Sequence, residues 1–126
     1  MRIPAFLAAI ALSSLAPAAL LAHVQLTAST PATGTETKAP KEITLTFSQA
    51  VDPSSAAASI VMTAMPGMAD HGEMVIRNFT ANWSDEGKTM TLALKKPLPT
   101  GTYEVRWQAA AADGHSMSGT VTFDVR

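Results

Sequence analysis

Between residues 62 and 74 the chain reads Met62-Thr63-Ala64-Met65-Pro66-Gly67-Met68-Ala69-Asp70-His71-Gly72-Glu73-Met74, four methionines and a histidine, each three residues from the next. On a helix this spacing would draw one apolar stripe suited to core packing. Pro66-Gly67 and Gly72 oppose a helix, so the segment is expected to be a loop in which several thioethers converge. Thioethers are soft donors, and together with one imidazole they select monovalent copper or silver over zinc, magnesium or calcium. Two plainer uses compete: a flexible methionine surface for an apolar partner, and ordinary packing of Met62 within a strand. Asp70 and Glu73, beside His71, read as solvated loop charges rather than as ligands to a soft ion.

The other two histidines form a second, discontinuous group. Asp113-Gly114-His115 sets a carboxylate and an imidazole two residues apart, a spacing that puts both on one face of an extended segment. By itself that pair is a weak signal, and a turn aspartate beside a solvated histidine is its commoner explanation. His23 changes the weighing if it is the first residue of the mature chain, because a terminal histidine offers its α-amine and its ring to one ion as a chelate. With Asp113 and His115 this makes three nitrogens and one oxygen, a set suited to tetragonal divalent copper. The amine must lose its proton to bind, so binding weakens as pH falls below its pKa, nominally about 7.7–8.0.

His23 becomes terminal through the leader. Residues 1–22 carry one charge, Arg2, then an apolar run rich in alanine and leucine, and then Ala22. The run is broken by Ser13-Ser14 and Pro17, which favours a secretory signal peptide cleaved between Ala22 and His23 over a membrane anchor. Cleavage leaves residues 23–126 as one domain in an exported compartment, with no stable membrane insertion. Without Arg2 the formal charge is −2 instead of −1, so neither nucleic acid nor an anionic membrane is an expected partner. The absence of cysteine excludes a disulfide scaffold, a thiolate zinc site, an iron–sulfur cluster, a cysteine nucleophile and a blue-copper centre.

Strands must position these groups. Ile43, Leu45 and Phe47 alternate with polar residues, as do Met90, Leu92 and Leu94, then Tyr103, Val105 and Trp107, and finally Val121, Phe123 and Val125. Weaker strand signals cover 24–28, 58–63 and 74–83. Turns are marked at Pro31-Ala32-Thr33-Gly34, Ala39-Pro40, Asp52-Pro53, Pro66-Gly67, Asp85-Glu86-Gly87 and 97–101. No mature segment shows a sustained helical period, although 54–59 is alanine-rich enough for a short helical turn. Seven short strands in about 100 residues predict an all-β, seven-stranded Greek-key sandwich or small barrel. Met117 is read as the start of the last strand, and Trp83 and Trp107 as core residues. There is no nucleophile elbow and no phosphate loop.

Taken together these segments resemble the CopC family of periplasmic copper-binding proteins. The resemblance runs from His23 through Ser29-Thr30-Pro31-Ala32-x-Gly34 and Ala39-Pro40-Lys41-x-Ile43-x-Leu45-x-Phe47-Ser48. It continues through the methionine segment, Pro97-Leu98-Pro99-x-Gly101-Thr102-Tyr103-x-Val105-x-Trp107, Asp113-x-His115 and Gly119-x-Val121-x-Phe123-x-Val125. It implies a seven-stranded Greek-key β-barrel of cupredoxin-like or immunoglobulin-like build, with two copper sites at opposite ends. The divalent site would be His23, Asp113 and His115; the monovalent site would draw on Met62, Met65, Met68, His71 and Met74.

The expected function is that of a periplasmic copper carrier in copper resistance or homeostasis, not an enzyme. It would sequester copper ions and pass them to a copper-transporting inner-membrane protein or another periplasmic copper protein. Two other classes are kept beside it. A histidine-brace copper enzyme uses a similar terminal histidine but needs an open coordination position and an aromatic substrate platform, and aromatics are 6% of this chain. A sandwich domain that binds another protein would need no metal at all.

Overall fold

The inward residues of the four clearest alternating runs, from Ile43 through Val125, are all buried, at 7% exposure or less. Each such side chain contributes about 1.5–3 kcal/mol on leaving water, which is why a strict two-residue period fixes the face that each strand presents. The structure is a computed structural model and describes residues 24–68, 72–111 and 114–126. Its strands are β1 (Leu26–Thr30), β2 (Glu36–Thr37), β3 (Glu42–Phe47), β4 (Ala57–Ala64), β5 (Met74–Ile76), β6 (Phe79–Trp83), β7 (Thr89–Leu94), β8 (Gly101–Ala110) and β9 (Ser116–Val125). Seven have five residues or more, the number expected; β2 and β5 are short additions at the edges.

The strands form two sheets, ordered β1-β3-β7-β6 and β2-β9-β8-β4-β5. Without the two short edges this is the four-over-three order of a constant-type immunoglobulin sandwich. The sheets keep free edges and do not close into a barrel, so of the two architectures left open by the sequence the sandwich is the observed one. All pairings are antiparallel except β2 with β9. The weak strand signal over 74–83 resolves into two strands in different sheets, β5 and β6. The helical turn expected within 54–59 is a 3-10 turn at Pro53–Ser55, where Asp52 Oδ1 accepts from the Ser54 N–H at 3.0 Å.

Two contacts fix the central strand β8. The Tyr103 hydroxyl donates to the Pro99 carbonyl at 2.6 Å, anchoring the crossover from β7, as the tyrosine corner does in immunoglobulin-like sandwiches. Trp107, buried as expected, lies edge-on to Phe47 with ring centroids 5.2 Å apart. Its indole lies against Gly119 so closely that a Cβ there would come within 2.8 Å of the ring. Trp83 is half-buried and packs against the same core.

Candidate metal centres

The long strands carry the methionine turn and His115 to opposite ends of the sandwich. Strand β4 ends at Ala64, opposite Thr102 of β8, and there it releases the methionine loop. Strand β8 ends at Ala110, opposite Ser116 of β9, and there it releases the loop that carries His115. Eight residue steps of extended chain lead from Thr102 to Ala110, roughly 26 Å at the rise of a β-strand, far too great a distance for one ion to engage both the methionine turn and His115.

At the methionine end the Met68 N–H donates to the Met65 carbonyl at 3.0 Å, closing a four-residue turn. Pro66 fixes the second position near φ −65°, and Gly67 supplies φ +77° at the third, the requirement of a type II turn. The first and fourth Cα atoms of such a turn lie within about 7 Å, so the thioethers of Met65 and Met68 start from neighbouring points of the backbone. Met65 is half-buried and packs against the core, whereas Met68 is 54% exposed. Met74 opens β5 at the other end of the loop and is 48% exposed.

Met62 behaves differently. It pairs with Met74 in register, but its side chain is 2% exposed inside the core cluster, with its methyl facing Gly101. This is the strand packing weighed for it in the sequence. The methionines around this loop that are at least partly exposed are Met65, Met68 and Met74. His71, the imidazole expected beside them, lies outside the described residues.

The loop's return is held electrostatically. Arg106 donates from its two terminal nitrogens to the Glu73 carboxylate at 2.7 and 3.3 Å, and from Nε to Glu104 at 2.9 Å. Its guanidinium, by hydrogen bond first and by charge second, holds the Glu73 carboxyl below the usual carboxylate range, and the two carboxylates raise Arg106 in turn. Glu73, expected to be a solvated loop charge, is exposed but ion-paired. Arg106 is the residue that sequence reading missed: its partner is 33 positions away, and the only local signal was a Glu104-x-Arg106 pair on the polar face of a strand.

At the opposite end His115 is exposed and directly precedes β9. Gly114, at φ +86°, turns the chain toward it and donates to the Ala111 carbonyl at 2.9 Å. Asp113 and His23 lie outside the described residues. The chain leaving residue 23 is nevertheless anchored at this same end. Val24 is fully buried in the core cluster that also holds Val51, Ala109 and Ala111. Gln25 and Ser48 exchange two hydrogen bonds, with the Ser48 N–H donating to the Gln25 carbonyl at 2.8 Å and the Gln25 N–H to Ser48 Oγ at 3.0 Å. Asp52, four residues further on, donates its N–H to the Ala110 carbonyl at 3.1 Å. Met117 is in β9 as expected, opposite Ala109, and is 38% exposed. Among the described residues no three His, Asp or Glu side chains gather into a metal-holding group.

Comparison with known proteins gives the same answer at the level of sequence and of structure. Residues 26–126 match the CopC domain family. The chain is 40% identical over 121 residues to copper resistance protein C of Pseudomonas syringae pv. tomato, covering 96% of this chain and 94% of that one. It is 36% identical to copper resistance protein C of Escherichia coli, covering 84% and 83%. Among solved structures it is similar to PcoC, a methionine-rich copper resistance protein from Escherichia coli, with TM-score 0.75 and 32% identity over 83% of this chain and all of that one. It is also similar to CopC from Methylosinus trichosporium OB3b, with TM-score 0.64 and 26% identity over 82% and 93% of the two chains. With a family model matched over residues 26–126 and relatives at 40% and 36% identity over most of both chains, the chain belongs to the CopC family.

Proposed function

We propose that this chain is a periplasmic copper carrier that holds monovalent and divalent copper at separate sites and releases them to other copper proteins. The monovalent site uses Met65, Met68 and Met74 with His71; Met62, buried in the core, supports the strand beneath them. The divalent site uses the α-amine and ring of His23 with Asp113 and His115, once residues 1–22 have been removed as a signal peptide. No helix among the described residues is long and apolar enough to cross a membrane.

The observation that carries this reading is the Met65-Pro66-Gly67-Met68 turn, which starts two methionine side chains from Cα atoms within about 7 Å of each other, one half-buried and one exposed, at an end of the molecule from which an ion can leave. A methionine serving only to pack would be buried as Met62 and Met90 are, both at 2% exposure. The names of the relatives support copper as the ion. Copper is cargo here, so the mechanism is ligand exchange. Soft sulfur favours the monovalent ion and nitrogen with oxygen the divalent one, so a change of oxidation state changes which end of the sandwich holds the ion. The receiving protein is a copper-transporting inner-membrane protein or another periplasmic copper protein.

X-ray absorption on the mature protein tests the assignment. Loaded anaerobically with one equivalent of monovalent copper, the spectrum should contain sulfur scatterers that diminish in the Met68→Leu variant. Loaded with one equivalent of divalent copper, it should contain only nitrogen and oxygen. Nitrogen and oxygen alone in both states would refute the methionine site.

A further inference from the structure

Val61 is 2% exposed but is not part of the core cluster. Its neighbours Ile60 and Met62 face the core, so by alternation Val61 faces outward on the five-stranded sheet. The register sets Glu104 of β8 on one side of it and Val75 of β5 on the other. Arg106 lies two residues beyond Glu104 and so shares that face. Its ion pair with Glu73 runs from β8 to the residue preceding β5 and must pass over β4, on the face that bears Val61. The otherwise outward valine is covered at the place where this strap crosses.

Strand β5 needs such a hold. It has three residues, pairs only with β4 through three register positions, and has an unpaired outer edge. A strand this short at a sheet edge opens at little cost in free energy. Met74 is its first residue and follows Glu73 directly, so a link from Glu73 to the central ten-residue strand β8 fixes the backbone from which the Met74 side chain projects.

We propose that Arg106 is a positioning residue for the methionine site: bridged to Glu104 on its own strand, it straps Glu73 across β4 and holds β5 in register, so that Met74 is presented to copper before copper arrives. This rests on the reading of Met74 as a ligand to monovalent copper. Exposed ion pairs contribute little to global stability, so the strap acts on the local opening of β5 and not on the fold.

The test uses the mature protein with Arg106→Gln, Glu73→Ala and the double substitution, each measured in two ways. Amide hydrogen exchange of the copper-free protein at residues 74–76 should quicken in either single variant. Monovalent copper affinity, from anaerobic competition with a chromophoric chelator, should fall roughly two- to five-fold in either. In both readouts the double variant should be no worse than the more affected single one, while divalent copper affinity and Tm stay at the parent values. Unchanged exchange in Arg106→Gln, or losses that add in the double variant, would overturn the strap. Quickened exchange in a series whose parent takes up no monovalent copper would leave the strap standing and remove Met74 as a ligand.

Discussion

Replacing Gly67 by alanine perturbs the methionine site without removing a sulfur atom. Gly67 is at φ +77°, and a Cβ built on it meets nothing within 4 Å, so the substitution introduces no clash and acts only through backbone conformation. An L-residue in the left-handed region costs about 1–2 kcal/mol relative to glycine. If Met65 and Met68 bind one ion from the two ends of this turn, that cost falls on the binding-competent state, and monovalent copper affinity drops by about 5- to 30-fold. Asparagine tolerates the left-handed region better than alanine does, so Gly67→Asn should recover part of the loss. The assay is anaerobic competition against a chromophoric monovalent copper chelator, with divalent copper affinity as the control that should not move. Parent-like affinity in Gly67→Ala would refute the claim that the turn organises the site.

The other predictions concern the core and its one phenol. Met62→Leu, a swap of similar volume inside the core, should cost less than about 1.5 kcal/mol and leave monovalent copper affinity unchanged, whereas Met68→Leu should leave Tm unchanged and weaken that affinity; chemical denaturation and chelator competition check the pair. Gly119→Ala would push a methyl to within 2.8 Å of the Trp107 indole, a rigid buried ring, so a loss of about 1–3 kcal/mol is expected, read as a lower denaturant midpoint at unchanged slope. Burial pushes the Tyr103 hydroxyl up to about 12. The unfolded chain therefore ionises first: the contribution to stability is intact below about pH 10, the unfolded value, and is lost as pH rises through about 12. Tyr103 is the only tyrosine, so absorbance at the tyrosinate band reads this titration directly, and Tyr103→Phe should abolish the pH-dependent loss of stability over that window.

The parts of the fold legible in the sequence are those governed by burial on one face. Ile43 to Phe47, Met90 to Leu94, Tyr103 to Trp107 and Val121 to Val125 each repeat every second residue because one sheet face meets the core, and each became a strand in the expected phase. The division of 74–83 into β5 and β6 was not legible. The break at Arg77-Asn78 depends on which sheet each half joins, and that is decided by β4 and β7, which lie elsewhere in the chain. Closure was hidden for the same reason: whether seven strands close into a barrel or remain a sandwich depends on edge geometry that no local pattern encodes.

The candidate sites divide in the same way. The Pro66-Gly67 turn was visible because both residues have backbone requirements of their own. The packing of Met62 was half visible, since it shares the phase of Ile60. The Glu73–Arg106 link has no period and no motif. Its partners are distant in the chain and meet only because β5, β4 and β8 lie side by side.

The central claim is that two ions of one element occupy different ends of the sandwich. Native mass spectrometry of the protein beginning at His23 tests it most directly. The protein is loaded with one equivalent of divalent copper, then with one equivalent of monovalent copper under anaerobic conditions, alongside a variant carrying Met65→Leu, Met68→Leu and Met74→Leu together. The account predicts two bound coppers in the parent and one, the divalent ion, in the variant. A single copper at saturation in the parent, or two retained in the variant, would contradict it.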